Sequence, residues 1–397
     1  MNTTRFRKAP PLALAVALGV ALAACSDDSE IEETGTSRTT GAAEETTGSD
    51  TDNGFADSDV PSDMPTPIGE LGVSGSLNGS GASSMANAQQ AWRDRFSADY
   101  GVTVNYNPTG SGTGRQQFIA GAVSFAGTDS ALDEDELEAA ANRCGSDVLE
   151  LPLYISPIAI AYNLPGIDDL NLSAQNVAAL FSGEITNWND EAIAADNEGV
   201  EFPDLDVVPF NRADDSGTTE NFTQYLVEAA GEDAWPYEPA DAWPMSGTQS
   251  AQKTSGVVDL TAQTEGAITY ADASQIGDLP AANVEVNGEF IAYSPEAAAA
   301  IVDGSEPSEN ATDKILTVDL KRDGSVEGAY PVVMISYLVA CTAYESAQEA
   351  ANVKGYVSFI ASSEGQQAAA MAGGGNAPIS KDLKSKVMPA IDAIVID

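Results

Sequence analysis

The chain has 397 residues, 43% of them hydrophobic, and its 61 acidic and 17 basic residues give a formal net charge of −44. This excess of acidic residues argues against a nucleic-acid-binding protein, because phosphate backbones are bound by basic surfaces. The sequence contains no histidine, which excludes Ser-His-Asp and Cys-His nucleophiles and His-ligated zinc. We expect no catalytic residue, no metal and no cofactor.

Residues 1–24 have the pattern of a bacterial lipoprotein signal peptide. Basic residues precede an apolar run that is too short to span a bilayer, and Leu22-Ala23-Ala24-Cys25 is typical of a lipobox. Cys25 would be lipidated and become the new N-terminus. The alternative is an ordinary signal peptide with a chance cysteine. Loss of the three basic leader residues would change the formal net charge from −44 to −47. We expect an extracytoplasmic protein anchored to the cell membrane.

Residues 25–70 are rich in Ser, Thr, Gly and acidic residues and contain few large apolar side chains. Such a composition buries too little surface to fold, and its charge keeps the chain extended. We therefore predict a disordered acidic tether that connects the anchor to a folded part starting at residue 71.

From residue 71 onward, short apolar runs alternate with helical patterns, which predicts an α/β fold. The predicted strands are Val102–Tyr106, Val123–Phe125, Val148–Tyr162, Val207–Val208, Ala267–Tyr270 and Val332–Cys341. The predicted helices are Met85–Tyr100, Arg115–Ala122, Glu134–Asn142, Ala174–Ser182, Thr219–Ala230 and Ala347–Ala361.

Two of the apolar runs, Leu149–Tyr162 and Tyr330–Cys341, are longer than typical strands. Long strands can run from one lobe into another, so we predict a two-strand hinge. The first lobe would comprise residues 71–152 and 333–397, and the second lobe residues 153–332. Cys144 and Cys341 lie near the first-lobe ends of the hinge strands. In an oxidising compartment they are expected to form a disulfide, with two buried free thiols as the alternative.

Three loops rich in small residues each precede a helical pattern. They are Asn78-Gly-Ser-Gly-Ala-Ser-Ser84, Pro108-Thr-Gly-Ser-Gly-Thr-Gly114 and Asn211-Arg-Ala-Asp-Asp-Ser-Gly-Thr218. A helix N-terminus offers unpaired N–H groups and positive dipole charge, and Ser or Thr adds a hydroxyl donor. Each loop alone is more typical of a plain helix cap. Three such loops together with Arg212 favour donors that converge on one oxyanion.

The ordered set of motifs resembles the phosphate-binding protein of the high-affinity phosphate ABC importer. The matches are Gly79-Ser-Gly-Ala-Ser83, Val104-Asn-Tyr-Asn-Pro-Thr-Gly-Ser111, Val123-Ser-Phe-Ala-Gly-Thr-Asp129, Ile185-Thr-Asn-Trp-Asn-Asp-Glu-Ala-Ile193, Arg212-Ala-Asp-Asp-Ser-Gly-Thr218 and Gly266-Ala-Ile-Thr-Tyr270. The resemblance runs from about residue 77 to the end of the chain. It implies a two-lobed periplasmic-binding-protein fold, type II-like, that closes on inorganic phosphate.

The resemblance also implies a role for each matching residue. The phosphate donors would be Ser83, Ser84, Ser111, Arg212, Ser216, Gly217 and Thr218. Asp214 would hold the guanidinium of Arg212, and Asp129 would accept a hydrogen bond from the ligand. The family usually has Thr-Phe where this chain has Ser83-Ser84, which removes an aromatic wall.

Asp129 favours a ligand that carries a proton. A carboxylate repels a fully ionised anion such as sulfate but accepts an O–H from phosphate. Taken alone, Asp129 is also typical of a helix cap. The chain is thus expected to be a monomeric binding protein that delivers phosphate to permease subunits. The alternatives are a binding protein for arsenate, sulfate, molybdate or phosphonate, a secreted phosphatase, or a surface adhesin.

Overall fold

In a computed structural model of the protein, residues 66–396 are described. The predicted signal segment 1–24, Cys25 and the part of the predicted tether up to residue 65 lie outside the described residues. A 3-10 turn at Ile68–Glu70 opens the folded part, and the side chain of Ile68 is buried in the main core. Ile68 thus belongs to the folded part rather than to the tether predicted over residues 25–70, while the remainder of the predicted tether stays a prediction.

The described chain alternates strands and helices, as the apolar pattern predicted. The strands are β1 (Ser76–Gly81), β2 (Thr103–Pro108), β3 (Phe125–Thr128), β4 (Val148–Asn163), β5 (Asn171–Leu172), β6 (Val208–Arg212), β7 (Gln249–Ala251), β8 (Ala267–Asp272), β9 (Asn283–Val286), β10 (Glu289–Ile291), β11 (Glu306–Pro307), β12 (Val318–Asp319) and β13 (Val333–Cys341). The helices are α1 (Ala86–Tyr100), α2 (Ser111–Ile119), α3 (Glu134–Cys144), α4 (Ala174–Ser182), α5 (Glu191–Asp196), α6 (Gly217–Tyr225), α7 (Lys253–Gln263), α8 (Pro295–Gly304), α9 (Ala347–Ala361), α10 (Ser363–Met371) and α11 (Lys381–Asp392).

The main sheet has eight strands in the order β2-β1-β3-β13-β4-β8-β6-β7. Strand β1 is parallel to β2 and β3, and β6 is parallel to β7 and β8. The middle of the sheet is antiparallel, since β13 runs opposite to β3 and β4, and β4 runs opposite to β8. The parallel strands on each side point their C-terminal ends toward the loops that carry the candidate site.

Strand β4 divides the sheet into two lobes. Its first part, Val148–Pro157, pairs with β13, and its last part, Ile158–Asn163, pairs with β8. The first lobe thus contains β1, β2, β3 and β13, and the second lobe contains β6, β7 and β8. The α/β fold with two lobes agrees with the sequence prediction, although β13 begins at Val333 rather than at Tyr330. The residue bounds of the lobes remain a prediction.

Aromatic side chains pack the helices α1 and α6 against their neighbouring elements. In the first lobe, Phe96 of α1 packs against Tyr356 and Phe359 of α9, with ring centroids 5.2 and 5.7 Å apart. In the second lobe, Phe222 of α6 stacks on Tyr270 of β8 at 4.3 Å. Helices α1 and α6, whose N-termini carry site residues, are therefore packed onto the cores of their lobes. None of the helices within residues 66–396 is both long enough and apolar enough to cross a membrane.

Cys144, the last residue of α3, is joined to Cys341 at the end of β13 by a disulfide. The Cα atoms are 5.5 Å apart and the two residues are 197 positions apart in the sequence. The guanidinium of Arg143 lies 4.6 Å from the ring centroid of Phe118 beside this bond. The disulfide fastens α3 to the hinge strand in the first lobe.

Candidate functional site

Three strand-to-helix loops place small polar residues at helix N-termini. Strand β1 leads to α1, β2 leads to α2, and β6 leads to α6, so the donors lie at the C-terminal edge of the sheet, where α/β proteins bind ligands. Asp129 follows the end of β3 at the same edge. All the predicted phosphate-contact residues are buried: Ser83, Ser84, Ser111, Asp129, Arg212, Ser216, Gly217 and Thr218.

The carboxylate of Asp129 lies at the centre of these loops and is only 3% exposed. The hydroxyl of Ser84 donates to its Oδ1 and Oδ2 at 2.7 and 2.8 Å. The hydroxyl of Ser336 donates to Oδ1 at 2.7 Å, and that of Thr218 donates to Oδ2 at 3.1 Å. We call Ser84, Thr218 and Ser336 the hydroxyl cluster of Asp129.

Two opposing effects act on the charge of Asp129. Burial raises the pKa of its carboxyl group above the ordinary value, because a charged group loses its hydration. The hydroxyls of Ser84, Ser336 and Thr218 and the positive charge of Arg212 lower that pKa. The cluster therefore stabilises the ionised carboxylate, which is the form that can accept a proton from a ligand.

The backbone of Asp129 is also held by residues of the neighbouring loops. Its N–H donates to the hydroxyl oxygen of Ser111 at 3.1 Å. Its carbonyl oxygen accepts from the side-chain amide of Asn221 at 2.6 Å. The same amide donates to the carbonyl of Gly217 at 2.8 Å, so Asn221 links the end of β3 to the first turn of α6.

Arg212 and Asp214 form a two-point ion pair. The Nε of Arg212 donates to Oδ1 of Asp214 at 2.9 Å, and its Nη2 donates to Oδ2 at 2.5 Å. The backbone N–H of Lys253 donates to the same carboxylate at 2.9 Å. The side chain of Arg212 is only 2% exposed. Within residues 66–396 its Nη1 has no hydrogen-bond partner. This nitrogen of the guanidinium is therefore available to donate to an anion.

Ser83 contacts the second lobe through the start of α7. Its hydroxyl oxygen accepts from the backbone N–H of Thr254 at 3.1 Å and is 3.1 Å from the Thr254 hydroxyl. Gln275 donates to the carbonyl oxygens of Ser83 and Ser84. Ser216 caps α6 by accepting from the N–H of Thr219 at 3.4 Å. Its cap role and a ligand role are compatible, because a serine hydroxyl accepts and donates at once.

The two lobes approach each other closely at Gly217. A Cβ atom at this position would lie 2.7 Å from the Cβ of Asp129, so only glycine fits without displacement. Another contact between the lobes is the ion pair of Arg115 on α2 with Asp241, at 3.1 Å. Arg115 also binds Glu136 at 2.9 Å. The lobes are thus in a closed arrangement around Asp129.

Sequence reasoning missed four polar residues of this region: Thr254, Asn221, Ser336 and Arg322. Ser336 is the single serine in the apolar strand β13. A lone hydroxyl in an otherwise apolar strand was the sequence feature that could have identified it as a site residue. Arg322 is 1% exposed, and its Nη2 donates to Oδ1 of Asn221 at 2.5 Å. Nothing in the local sequence of Asn221 or Arg322 indicated this pairing, since the two residues are 101 positions apart.

Within residues 66–396 no three His, Cys, Asp or Glu residues are grouped as metal ligands. The polar groups that meet at the site are hydroxyls, backbone N–H groups, the guanidinium of Arg212 paired with Asp214, and the carboxylate of Asp129. This set binds a compact oxyanion by hydrogen bonds and leaves one acceptor for a proton on that anion.

Comparison with known proteins identifies the family. The model of the PBP superfamily domain matches residues 41–364. Phosphate-binding protein PstS 3 of Mycobacterium tuberculosis strain H37Rv is 32% identical over 330 residues, which cover 82% of this chain and 88% of the relative. The chain belongs to the PstS family of solute-binding proteins. PstS 3 of Mycobacterium leprae is 33% identical over 324 residues, covering 80% of this chain and 86% of the relative.

Solved structures share the two-lobed fold of this PstS-family chain. The periplasmic phosphate-binding protein PfluDING, solved with bound phosphate, matches with a TM-score of 0.65 and 20% identity over 79% of this chain and 93% of that one. A phosphate-binding protein from Stenotrophomonas maltophilia matches with a TM-score of 0.61 and 21% identity over the same shares. The periplasmic-binding-protein fold expected from the resemblance is confirmed.

Proposed function

We propose that the protein binds inorganic phosphate outside the cytoplasm and delivers it to the permease subunits of a phosphate ABC importer. The ligand donors are Ser83, Ser84, Ser111, Arg212, Ser216, Gly217 and Thr218, and Asp129 is the acceptor. The names of the PstS relatives and the phosphate bound by PfluDING support this ligand. Asp214 holds Arg212 in the orientation that presents its free Nη1.

The observation that carries the proposal is the buried carboxylate of Asp129 at the convergence of helix N-termini. An anion without a proton would place two negative charges together in a site of low dielectric. Phosphate at neutral pH keeps at least one proton and donates it to Asp129. The paired charges of Arg212 and Asp214 nearly cancel, so the site attracts through local dipoles and hydroxyls rather than through net charge.

The proposed function is capture without chemical conversion. The sequence contains no histidine, so the serine hydroxyls of the site have no imidazole base to activate them. The test is a calorimetric titration of the purified mature protein with phosphate, arsenate, molybdate and sulfate. Saturable phosphate binding with no hydrolysis of p-nitrophenyl phosphate is expected. Turnover of that ester would instead favour a phosphatase, and tighter binding of sulfate or molybdate would reassign the ligand.

Asp129→Asn tests the acceptor directly. The amide keeps the size of the side chain, removes the negative charge and can donate or accept a hydrogen bond. We expect phosphate affinity to change modestly while sulfate binding becomes measurable. Competition titrations of both proteins at fixed ionic strength give the phosphate-to-sulfate ratio. A ratio that is unchanged by the substitution would make Asp129 a structural residue.

Membrane attachment through lipidated Cys25 is part of the proposal and is supported by the lipobox sequence. Cys25→Ser is expected to release the protein into the medium with phosphate binding intact. Retention of the variant in the membrane fraction would show that another segment attaches the protein. The protein is proposed to act as a monomer, which sedimentation of the released form measures.

A further inference from the structure

Two members of the hydroxyl cluster of Asp129 contact the carboxylate in a way that the expected phosphate donors do not explain. Ser84 stands where the family usually has an aromatic residue, and its hydroxyl contacts both carboxylate oxygens of Asp129 at 2.7 and 2.8 Å. Ser336 belongs to the hinge strand β13 rather than to a helix N-terminus, and its hydroxyl donates to Oδ1 at 2.7 Å. Both side chains are fully buried.

We propose that Ser84 and Ser336 are specificity-determining residues, which keep the carboxyl of Asp129 in its charged form and so preserve the rejection of fully ionised anions. This inference rests on the proposed function. A charged Asp129 is an acceptor and repels sulfate, whereas a protonated Asp129 is a donor and binds it. The pH at which sulfate binding begins is therefore set by the groups that stabilise the carboxylate.

The geometry leaves room for one more donor on Asp129. An ionised carboxylate offers about four lone-pair sites. The hydroxyl cluster supplies three hydrogen atoms, with that of Ser84 shared between Oδ1 and Oδ2. One remaining site suits the single O–H that a monoprotonated phosphate presents. The cluster thus stabilises the negative charge without saturating the acceptor.

Other charged or titratable groups near Asp129 do not replace the two serines. Arg212 lowers the pKa of Asp129 by its charge but is paired with Asp214. Tyr106 of β2 is buried, donates to the carbonyl of Ala82, and has a pKa raised well above its ordinary value, so it stays neutral. From α2 and α6, Arg115 and Glu220 bind the hydroxyl of Ser130 rather than Asp129.

Sulfate is the probe for the test, because its charge is constant between pH 4.5 and 8.5 and any pH dependence comes from the protein. Calorimetry measures its affinity across this range for the wild type, Ser84→Ala, Ser336→Ala and the double alanine variant. Removing hydroxyl donors destabilises the charged form of Asp129. In the double variant, we expect the pH midpoint of sulfate binding to rise by about one unit or more.

Three reference proteins make the result specific. Ser80→Ala removes a buried hydroxyl that has no hydrogen-bond partner within residues 66–396, and it should keep the wild-type midpoint. The Ser84→Thr/Ser336→Thr variant retains both hydroxyls and should restore that midpoint. Asp129→Asn should bind sulfate without pH dependence, because it lacks the titrating group.

The outcomes separate the inference from the proposed function. Phosphate binding at neutral pH together with identical sulfate profiles for the wild type and the double alanine variant would overturn the inference alone. Failure of the wild type to bind phosphate would overturn the proposed function and the inference with it. If the double variant does not fold, the single Ser336→Ala variant decides: an upward shift in the carboxyl pKa of Asp129, followed by ¹³C NMR, supports the inference, and no shift refutes it.

Discussion

The side-chain amide of Asn221 donates to the backbone carbonyl of Asp129 at 2.6 Å, and this bond joins a helix of the second lobe to the first lobe without the ligand. The orientation of the amide is fixed by Arg322, whose Nη2 donates to Oδ1 of Asn221 at 2.5 Å. A guanidinium only donates hydrogen bonds, so the NH₂ group must face the carbonyls of Asp129 and Gly217. Arg322 in turn donates to the carbonyls of Pro331 and Val333 at the start of β13.

Asn221→Asp is expected to weaken phosphate binding by about tenfold, equivalent to roughly 1.4 kcal/mol. The carboxylate still pairs with Arg322 but has no proton to donate to the carbonyl of Asp129. The bond breaks when the lobes separate, so the loss should appear in the dissociation rate, measured by stopped-flow Trp fluorescence. Asn187→Ala is the control, because Asn187 binds Asp204 on the surface of the second lobe. Equal dissociation rates in all three proteins would show that Asn221 does not support closure.

Arg212→Ala is expected to reduce phosphate affinity at least tenfold, or about 1.4 kcal/mol. The positive charge of Arg212 lowers the pKa of Asp129, and charge-assisted hydrogen bonds from a planar guanidinium are stronger than neutral ones. Arg212→Lys should give an intermediate affinity, since it restores the charge but not the fork. Arg95→Ala serves as the control, because Arg95 is exposed on α1. Calorimetric affinities within tenfold of wild type for Arg212→Ala would place phosphate elsewhere.

Glu150 should make the protein less stable as pH rises from about 4.5 to 8. Its side chain is fully buried on β4, and burial raises the pKa of its carboxyl group to about 8. Between these pH values the unfolded chain releases the proton while the folded chain keeps it, so the free energy of unfolding falls by up to about 1.4 kcal/mol per pH unit. Above pH 8 both states are ionised and this contribution becomes constant.

Glu150→Gln removes this titration and keeps an acceptor for the N–H of Leu132, which binds Oε1 at 2.9 Å. The advantage of the variant over the wild type should therefore grow between pH 4.5 and 8. Urea unfolding in phosphate-free buffers measures it, since bound phosphate would add its own stabilisation. The exposed Glu138→Gln variant should follow the wild type. Parallel stability curves for Glu150→Gln and the wild type would contradict the expectation.

The sequence predicted those parts of the site that depend on local pattern. Glycine and serine before an amphipathic segment identified the helix N-termini of α1, α2 and α6, and the long apolar run identified β4. Helix α2 was predicted to start at Arg115, but it begins at Ser111, because glycine has a low helix propensity that hides the first turn. Tertiary packing requires this glycine: a Cβ at Gly114 would lie 2.3 Å from the Cα of Gly81.

Contacts between distant segments could not be predicted from local pattern. Ser336 reaches Asp129 because Tyr337 of β13 pairs with Thr128 of β3, and this register is fixed only when the sheet is assembled. The same holds for Thr254, whose helix α7 was not predicted and begins with Lys253 at a φ of 67°. A lysine gives no sign of positive φ in the sequence, because the non-glycine residues enriched in that region are Asn, Asp and His. The donors that were missed are those that depend on strand register or on closure of the lobes.

The disulfide of Cys144 and Cys341 should contribute to stability and leave ligand binding unchanged. It joins residues that are 197 positions apart in the sequence. A cross-link that closes so long a loop strongly restricts the unfolded chain, and it should raise the free energy of unfolding by about 2–5 kcal/mol. The bond joins α3 to the far end of β13, beyond Ser336 and away from the helix N-termini. Cys144→Ala/Cys341→Ala should therefore lower the unfolding free energy by this amount and keep the wild-type phosphate affinity. Thiol titration of the denatured, non-reduced mature protein checks the bond itself, and two reactive thiols per chain would show that these cysteines remain reduced.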